Sequence, residues 1–78
     1  MRITVKLFAG LKRFAPEGAG DEVTIDLADG ATAQDAASAL KIPQGHAGTA
    51  FVDGERAPFD LVLQDGQVVG LVPPLGGG

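Results

Sequence analysis

The strongest constraint on the fold of this 78-residue chain is that its hydrophobic period switches once and then switches back. Apolar residues first alternate along residues 2–8 and 22–27, as in strands with one buried face. They then recur at i, i+3, i+4 and i+7 from Ala33 to Leu40, the spacing of one helical stripe. Strand-like patterns return from residue 50. One helix therefore has to cover a sheet built from strands on both sides of it in the chain.

The predicted helix has recognisable ends. Thr32 precedes the apolar stripe and can accept a hydrogen bond from the amide of Asp35 as an N-cap, and the Asp35 carboxylate suits the positive end of the helix. Ile42-Pro43 is expected to end the helix, since proline cannot continue it. Residues 9–14 are expected to form a short helical turn after the first strand.

The second half of the chain predicts three strands separated by tight turns. Residues 50–52 and 55–57 flank Asp53-Gly54, a turn sequence whose central residues adopt positive φ. Asp65-Gly66 then precedes Val68–Val72, an apolar run without charge on either face, which belongs in the middle of a sheet. We therefore expect an α+β fold, a mixed sheet of four to five strands packed on one main helix, with the last strand central and parallel to the first.

Length and composition exclude several classes of function. A chain of this size supports one modest core, so a self-sufficient enzyme with a cleft between domains is not expected. The sequence has no cysteine, which excludes sulfur chemistry on a side-chain thiol and favours a cytoplasmic location. The net charge is −4, and residues 1–13 carry four cations and no acid. The acidic remainder opposes nucleic-acid binding, and no apolar run is long enough to span a membrane.

The C-terminal residues suggest a function most directly. Pro73-Pro74-Leu75 follows the predicted central strand, and Gly76-Gly77-Gly78 ends the chain. The prolines stiffen the exit and prevent further sheet pairing, whereas the glycines leave a thin chain end without side chains. Such an end can enter a narrow channel and present the Gly78 carboxylate, which reacts only after activation, for instance by transfer onto the α-phosphate of ATP. A frayed end without function is the alternative.

Phe8 is a candidate docking residue. The apolar residues from Ile3 to Leu7 share one face of the first strand, so Phe8 falls on the opposite face, where solvent is expected. If the last strand lies beside the first, Val72 and Leu75 flank Phe8. An exposed apolar patch next to a functional tail suits a protein partner. The alternative is that Phe8 packs under the helical turn that follows it.

Several segments together resemble the MoaD/ThiS family over essentially the whole chain: residues 5–9, 30–32, 51–54, 63–69 and 73–78. The resemblance implies the β-grasp, ubiquitin-like fold, with residues 1–75 as the domain and residues 76–78 as a flexible tail. In that family the C-terminal glycine is adenylated by a ubiquitin-activating-type enzyme and converted to a thiocarboxylate. The resemblance makes Gly78 the activated residue and places partner contacts at Phe8, Val72, Pro73, Pro74, Leu75, Gly76 and Gly77.

The same resemblance implies a carrier rather than an enzyme, with no bound cofactor and with ATP used by the activating enzyme. Pro73-Pro74 is more similar to the MoaD branch than to ThiS, so the expected sulfur acceptor is an enzyme such as the large subunit of molybdopterin synthase, whose small subunit this chain would be. Similar short proteins carry sulfur for thiamine, cysteine synthesis or tRNA thiolation, or modify proteins covalently. These alternatives stay open, as does a plain interaction module. Asp53, Gln67 and the extra Gly76 depart from the family pattern without removing a required residue.

Two other motifs carry little functional weight. Gly18-Ala19-Gly20 lacks the following Lys-Ser/Thr of a phosphate loop and leads into a strand instead of a helix. His46 is the single histidine and has no second ligand at metal spacing, so an exposed histidine is expected there.

Overall fold

The computed structural model describes residues 1–16, 18 and 20–74. Within these ranges the chain forms five strands, one α-helix and one short 3-10 helix. The 3-10 helix, Ala9–Phe14, lies where the sequence predicts a helical turn. The other elements, in chain order, are β1 Arg2–Leu7, β2 Glu22–Asp26, α1 Ala33–Ala39, β3 Thr49–Val52, β4 Glu55–Ala57 and β5 Val68–Val72.

The strands form one mixed sheet in the order β2-β1-β5-β3-β4. β5 pairs in parallel with β1 and antiparallel with β3, and the outer strands β2 and β4 pair antiparallel with β1 and β3. The uncharged apolar segment is therefore the central strand and runs parallel to the first, as predicted. This position suits its composition, because a strand with neighbours on both edges exposes little of its length to water.

The core lies between α1 and one face of the sheet. α1 turns only alanines towards it, and these small side chains let the helix lie close to the strands. No polar side chain is buried among the residues described, so packing depends on apolar burial, at about 1.5–3 kcal/mol for each large aliphatic side chain. The largest fully buried side chains are Ile3, Val5 and Leu7 of β1 and Val69 and Leu71 of β5.

α1 begins at the N-cap that the sequence predicts. The Thr32 hydroxyl accepts the Asp35 N–H at 3.3 Å, and the Asp35 carboxylate accepts the Thr32 N–H at 2.8 Å, which completes a capping box. The N–H of Gln34 donates to the carbonyl of Phe59 at 2.9 Å. The first turn therefore leaves few backbone donors unpaired, and the helix is anchored to the segment that precedes β5.

The C-terminal end of α1 differs from the prediction, because the helix ends before Ile42 and Pro43 are reached. Lys41 has φ +61, and its N–H donates to the carbonyl of Ser38 at 2.9 Å. The Ile42 N–H donates to the carbonyl of Ala37 at 3.2 Å. These two bonds form a Schellman motif, which closes the helix without any help from the proline. The sequence does not indicate this motif, because its left-handed position is usually a glycine and here is Lys41.

The Asp53-Gly54 turn joins β3 to β4 and also contacts β5. Both residues have positive φ, +52 and +87, as the sequence predicts. The Asp53 carboxylate accepts hydrogen bonds from the Val68 N–H at 3.0 Å and from the Gln67 side chain at 3.2 Å. The turn therefore fixes the start of the central strand relative to the β3–β4 hairpin.

Candidate functional site

The face of the sheet opposite α1 carries exposed apolar side chains. Strand pairing places Lys6 of β1 beside Gly70 of β5, Gly70 beside Phe51 of β3, and Phe51 beside Arg56 of β4. Residues paired in this way point to the same face of a sheet. A row therefore crosses this face, and it continues beyond Lys6 to Glu22 of the edge strand β2. Within this row the gap where Gly70 has no side chain and the Phe51 ring lie between the two cations.

Phe8 covers that gap. Its N–H donates to the carbonyl of Leu71 at 3.2 Å, so the residue continues β1 alongside β5 before the chain enters the 3-10 helix. Its ring lies over the Gly70 backbone, because a Cβ added at Gly70 would stand 3.2 Å from Cε2 of Phe8. The side chain remains 45% exposed. The prediction that Phe8 lies on the face opposite the core is confirmed, and the alternative of packing under the helical turn is not what the structure shows.

Phe8 is one side of a shallow apolar groove. We call its apolar lining the Phe8 patch: Phe8, Phe51, Val68, Gly70 and Val72. Val68 and Val72 are half-buried, as is Phe51, so each presents part of its side chain to solvent. The glycine forms the floor and the larger side chains form the walls. A projecting apolar side chain of another protein would fit this shape.

Two cations flank the Phe8 patch, and one of them, Lys6, has Glu22 of β2 as its neighbour on the side away from the groove. Lys6 lines the groove from β1, and Arg56 lies on the other side, next to Phe51 on the edge strand β4. Both side chains are exposed. No acidic residue lines the groove in the part of the chain that the structure describes. Although the protein carries a net charge of −4 and Glu22 lies beyond Lys6, the charges that border the groove itself are positive and favour a partner with acidic residues.

The tail leaves the sheet at the same end as Phe8. Val72 pairs with Thr49 in the last rung of the β3–β5 ladder, and its carbonyl accepts the Gly48 N–H at 2.8 Å. Pro73 is half-buried and Pro74 is exposed. Neither proline has an N–H to donate, so sheet pairing stops there.

The structure brings together those predicted site residues that it describes. Phe8 and Val72 line the same groove, and Pro73 and Pro74 follow Val72 directly. The remaining predicted residues, Leu75, Gly76, Gly77 and Gly78, lie outside the described part of the chain, as does the predicted flexible tail of residues 76–78.

A model of the ThiS family matches residues 5–78. The chain belongs to the ThiS family. The match begins within β1 and includes every later strand and helix and the C-terminal glycines. It confirms the resemblance on which the expected fold and site rest. No curated protein sequence matches this family member significantly.

Solved structures similar to this ThiS-family protein are small proteins of the same fold. The small archaeal modifier protein SAMP1 of Haloferax volcanii is 26% identical, with 100% of both chains covered and a TM-score of 0.76. A Pyrococcus furiosus protein assigned as molybdopterin converting factor subunit 1 is 28% identical, with 95% of this chain and 98% of that chain covered and a TM-score of 0.70. These likenesses confirm the β-grasp fold.

A third similar structure is a complex of subunits 1 and 2 of molybdopterin-converting factor from Helicobacter pylori. The matched chain is 19% identical, with 100% of both chains covered and a TM-score of 0.61. At this identity the likeness supports the fold alone. Together with the family match, the comparisons show that the protein is a small ThiS/MoaD-like sulfur carrier or ubiquitin-like modifier. Proteins of this family are small carrier subunits and not catalytic enzymes.

Sequence reasoning missed part of the site of this ThiS-family protein. Phe51 alternates with Ala50 and Val52, which face the core, so strand periodicity alone could have placed its ring beside Phe8. Gly70 interrupts an apolar strand, and a glycine in that position often marks a close approach by another group. The position of Arg56 beside Phe51 could not be found in this way, because it depends on the register of two strands.

Within the described residues, His46 and the two helices bear on the expectations for a metal site and a membrane segment. His46 is exposed, as predicted, and its ring meets the Phe14 ring edge-on with 6.2 Å between centroids. Residues 1–16, 18 and 20–74 contain no cluster of three or more side chains that could hold a metal ion. Neither helix in those ranges is long and apolar enough to cross a membrane.

Proposed function

We propose that this protein is a sulfur carrier whose Gly78 carboxylate is adenylated by a ubiquitin-activating-type enzyme and then converted to a thiocarboxylate. The observation that carries the proposal is the position of the Phe8 patch at the end of the sheet where the tail departs. An enzyme that binds the Phe8 patch also contacts Val72, from which the chain continues through Pro73 and Pro74 to the glycines. The chain after Val72 then leads directly towards the enzyme's nucleotide.

The proposed chemistry requires no side chain of the carrier itself. A Gly78 carboxylate oxygen attacks the α-phosphorus of ATP, the bond between the α- and β-phosphates breaks, and pyrophosphate leaves. A donor that supplies sulfur as hydrosulfide then attacks the acyl carbon, the bond from that carbon to the AMP oxygen breaks, and the thiocarboxylate remains as AMP leaves. This sequence suits a chain without cysteine, because the sulfur is held at the chain end and not on a thiol. The carrier needs no resident cofactor, since ATP is bound by the activating enzyme.

The length of the tail sets the depth of the channel that the enzyme must provide. Four residues follow Pro74 in the sequence. An extended chain spans at most about 3.5 Å for each residue, so the carboxylate reaches no more than about 14 Å beyond the proline. The activating site should therefore lie within that distance of the surface that binds the Phe8 patch.

For the acceptor we propose a large subunit like that of molybdopterin synthase, in molybdopterin biosynthesis. The 28% identity to a molybdopterin converting factor subunit 1 supports this choice. The Helicobacter pylori complex shows that a chain of this fold can assemble with a second subunit. The apolar groove beside Lys6 and Arg56 suits a partner surface with an apolar projection and nearby acidic residues. We propose a cytoplasmic location, where ATP is available to the activating enzyme. Thiamine, cysteine and tRNA thiolation pathways would use the same carrier chemistry with other acceptors.

The second candidate function is covalent protein modification, favoured by the 26% identity to SAMP1 over both complete chains. The Gly78 adenylate would then be attacked by a target lysine, which forms an isopeptide bond. Both candidates begin with the same adenylate, so activation alone does not separate them.

Intact mass spectrometry separates the two candidates. The carrier is incubated with its activating enzyme, ATP and a sulfur donor, in parallel with a variant lacking Gly78. The carrier function predicts a gain of about 16 Da, from exchange of one oxygen for sulfur, in the wild-type protein only. Protein conjugates without this gain would favour the modifier. No change in mass and no conjugates would overturn both candidates.

A further inference from the structure

Gly48 lies directly before β3 and contacts the base of the tail. Its N–H donates to the carbonyl of Val72 at 2.8 Å. A Cβ built on Gly48 would stand 2.6 Å from Cα and 2.8 Å from N of Pro74. Real Cβ atoms essentially never approach other heavy atoms so closely, and backbone atoms cannot rotate aside as a side chain can. The Pro74 backbone thus occupies the space that a side chain at residue 48 would fill.

The close approach, and not the backbone conformation, explains why residue 48 is glycine. The φ of Gly48 lies outside the positive region, so an L-residue could adopt its conformation. Gly10 also lacks a positive φ, but a Cβ added there meets nothing within 4 Å. At Gly70 the nearest atom belongs to the Phe8 side chain, which can move. Among the described glycines, only Gly48 would place an added Cβ within 4 Å of the Pro74 backbone.

We propose that Gly48 is a positioning residue, which sets the direction in which the C-terminal residues leave the sheet relative to the Phe8 patch. This inference rests on the proposed activation of Gly78. The Val72 carbonyl is held by Gly48, and the prolines restrict φ to about −65° over the next two residues. The contact with Gly48 therefore determines the direction of the chain at Pro74, the last residue that the structure describes.

The size of the expected displacement shows why one methyl group matters. Carbon atoms in contact lie about 3.5–4.0 Å apart, so a Cβ at residue 48 would move the Pro74 backbone by roughly 1 Å. A displacement of that size changes the point and direction from which the chain continues after Pro74. Misplacing reacting groups by about 1 Å can lower a rate about 100-fold. The Phe8 patch includes neither Gly48 nor Pro74, and its strands keep their pairing, so it should still bind its partner.

The first test needs no partner enzyme. We expect a strong nuclear Overhauser effect between the Hα protons of Gly48 and Pro74 in the free wild-type protein, and its loss in Gly48→Ala. The amide shifts of β1 and β2 should not change in this variant. Absence of the effect in the wild-type protein would overturn the inference, because the two residues would then not be in contact.

The second test measures ATP–pyrophosphate exchange and affinity for the cognate activating enzyme. For Gly48→Ala we expect kcat to fall about tenfold to 100-fold, with Kd and melting temperature close to wild type. Gly10→Ala is the matched control and should behave as wild type in all three measurements. Exchange at the wild-type rate in Gly48→Ala would overturn the inference. A large loss of melting temperature would also overturn it, because Gly48 would then stabilise the fold and not only direct the tail.

A variant lacking Gly78, measured in parallel, separates failure of this inference from failure of the proposed function. If the deletion removes exchange and Gly48→Ala does not, only the positioning role of Gly48 falls. If the deletion exchanges as fast as wild type, the carboxylate is not the reactive group, and the proposed function and the inference fall together.

Discussion

Phe8 and Gly70 show how one side chain and one missing side chain form the groove. The ring lies over the glycine backbone and stays 45% exposed, so removing it creates no cavity in the core. We expect Phe8→Ala to weaken binding to the activating enzyme by about tenfold or more, as at other aromatic docking residues, while the melting temperature changes little. A fully buried Phe would instead lose about 3–5 kcal/mol on truncation to Ala.

Val62 provides the matched control for this prediction. It is an apolar residue with 56% of its surface exposed, and it lies outside the Phe8 patch. Val62→Ala should leave binding unchanged in the same titration. If Phe8→Ala unfolds at a much lower temperature than Val62→Ala, the ring supports the core and not the docking surface.

The cations beside the Phe8 patch make a separate prediction about charge. Reversing Lys6 or Arg56 to Glu should slow association with the partner and reduce the salt dependence of the association rate, since these groups attract an acidic surface. Lys41→Glu changes the net charge by the same amount at the end of α1, away from the patch. Association rates measured at several salt concentrations should separate the two positions, and equal effects at both would contradict a local role.

At the scale of secondary structure, the C-terminal end of α1 stores strain that a substitution should relieve. Lys41 occupies the left-handed position of the Schellman motif with φ +61, which costs a non-glycine residue roughly 1–2 kcal/mol. Lys41→Gly removes that cost but increases the freedom of the unfolded chain. We therefore expect a net gain of about 0.5–1 kcal/mol, which raises the melting temperature by a few degrees in a domain of this size.

Lys41→Ala separates the conformational effect from the charge. Alanine keeps the penalty for positive φ and removes only the exposed part of the side chain beyond Cβ, including the ammonium group, so its melting temperature should stay near that of the wild type. If alanine stabilises the protein as much as glycine does, loss of the charge explains the change and the strain at Lys41 does not.

The elements were predictable where the local pattern is strong. Alternation defined β1 and β2, the apolar stripe and Thr32 defined the start of α1, and an uncharged run identified β5 as central. The end of α1 was not predictable, because its stop depends on a left-handed lysine and not on the proline. The strand order as a whole needed the family resemblance or the structure, since pairing between distant segments leaves little local trace.

At the scale of the whole molecule, the site arises from strands that are far apart in the sequence. Phe8 follows β1, Phe51 belongs to β3 and Val72 ends β5, and they meet because β5 lies between the other two. Sequence reasoning found Phe8 and the tail, which have local signals in alternation and in glycine content. It missed Gly48, because the contact of this residue with Pro74 depends on the path of the chain after the last strand.

The same arrangement separates docking from chemistry. The Phe8 patch is built on rigid strands, whereas the proposed reactive group is at the end of the chain, beyond Pro74. Changes to the final residues should therefore abolish activation and leave binding intact. Deleting Gly78 withdraws the carboxylate by roughly 3.5 Å, which is farther than in-line attack on a phosphate tolerates. Gly77→Val keeps the length but adds a branched side chain inside the channel.

The most direct measurement of the central claim is ATP–pyrophosphate exchange with the cognate activating enzyme, for the wild type, the Gly78 deletion, Gly77→Val and Gly76→Ala. Exchange should be lost in the deletion and strongly reduced in Gly77→Val, while Gly76→Ala should remain near wild type because the family motif requires only the final pair of glycines. Binding of all variants should persist. Wild-type exchange by the Gly78 deletion would show that the C-terminal carboxylate is not the reactive group.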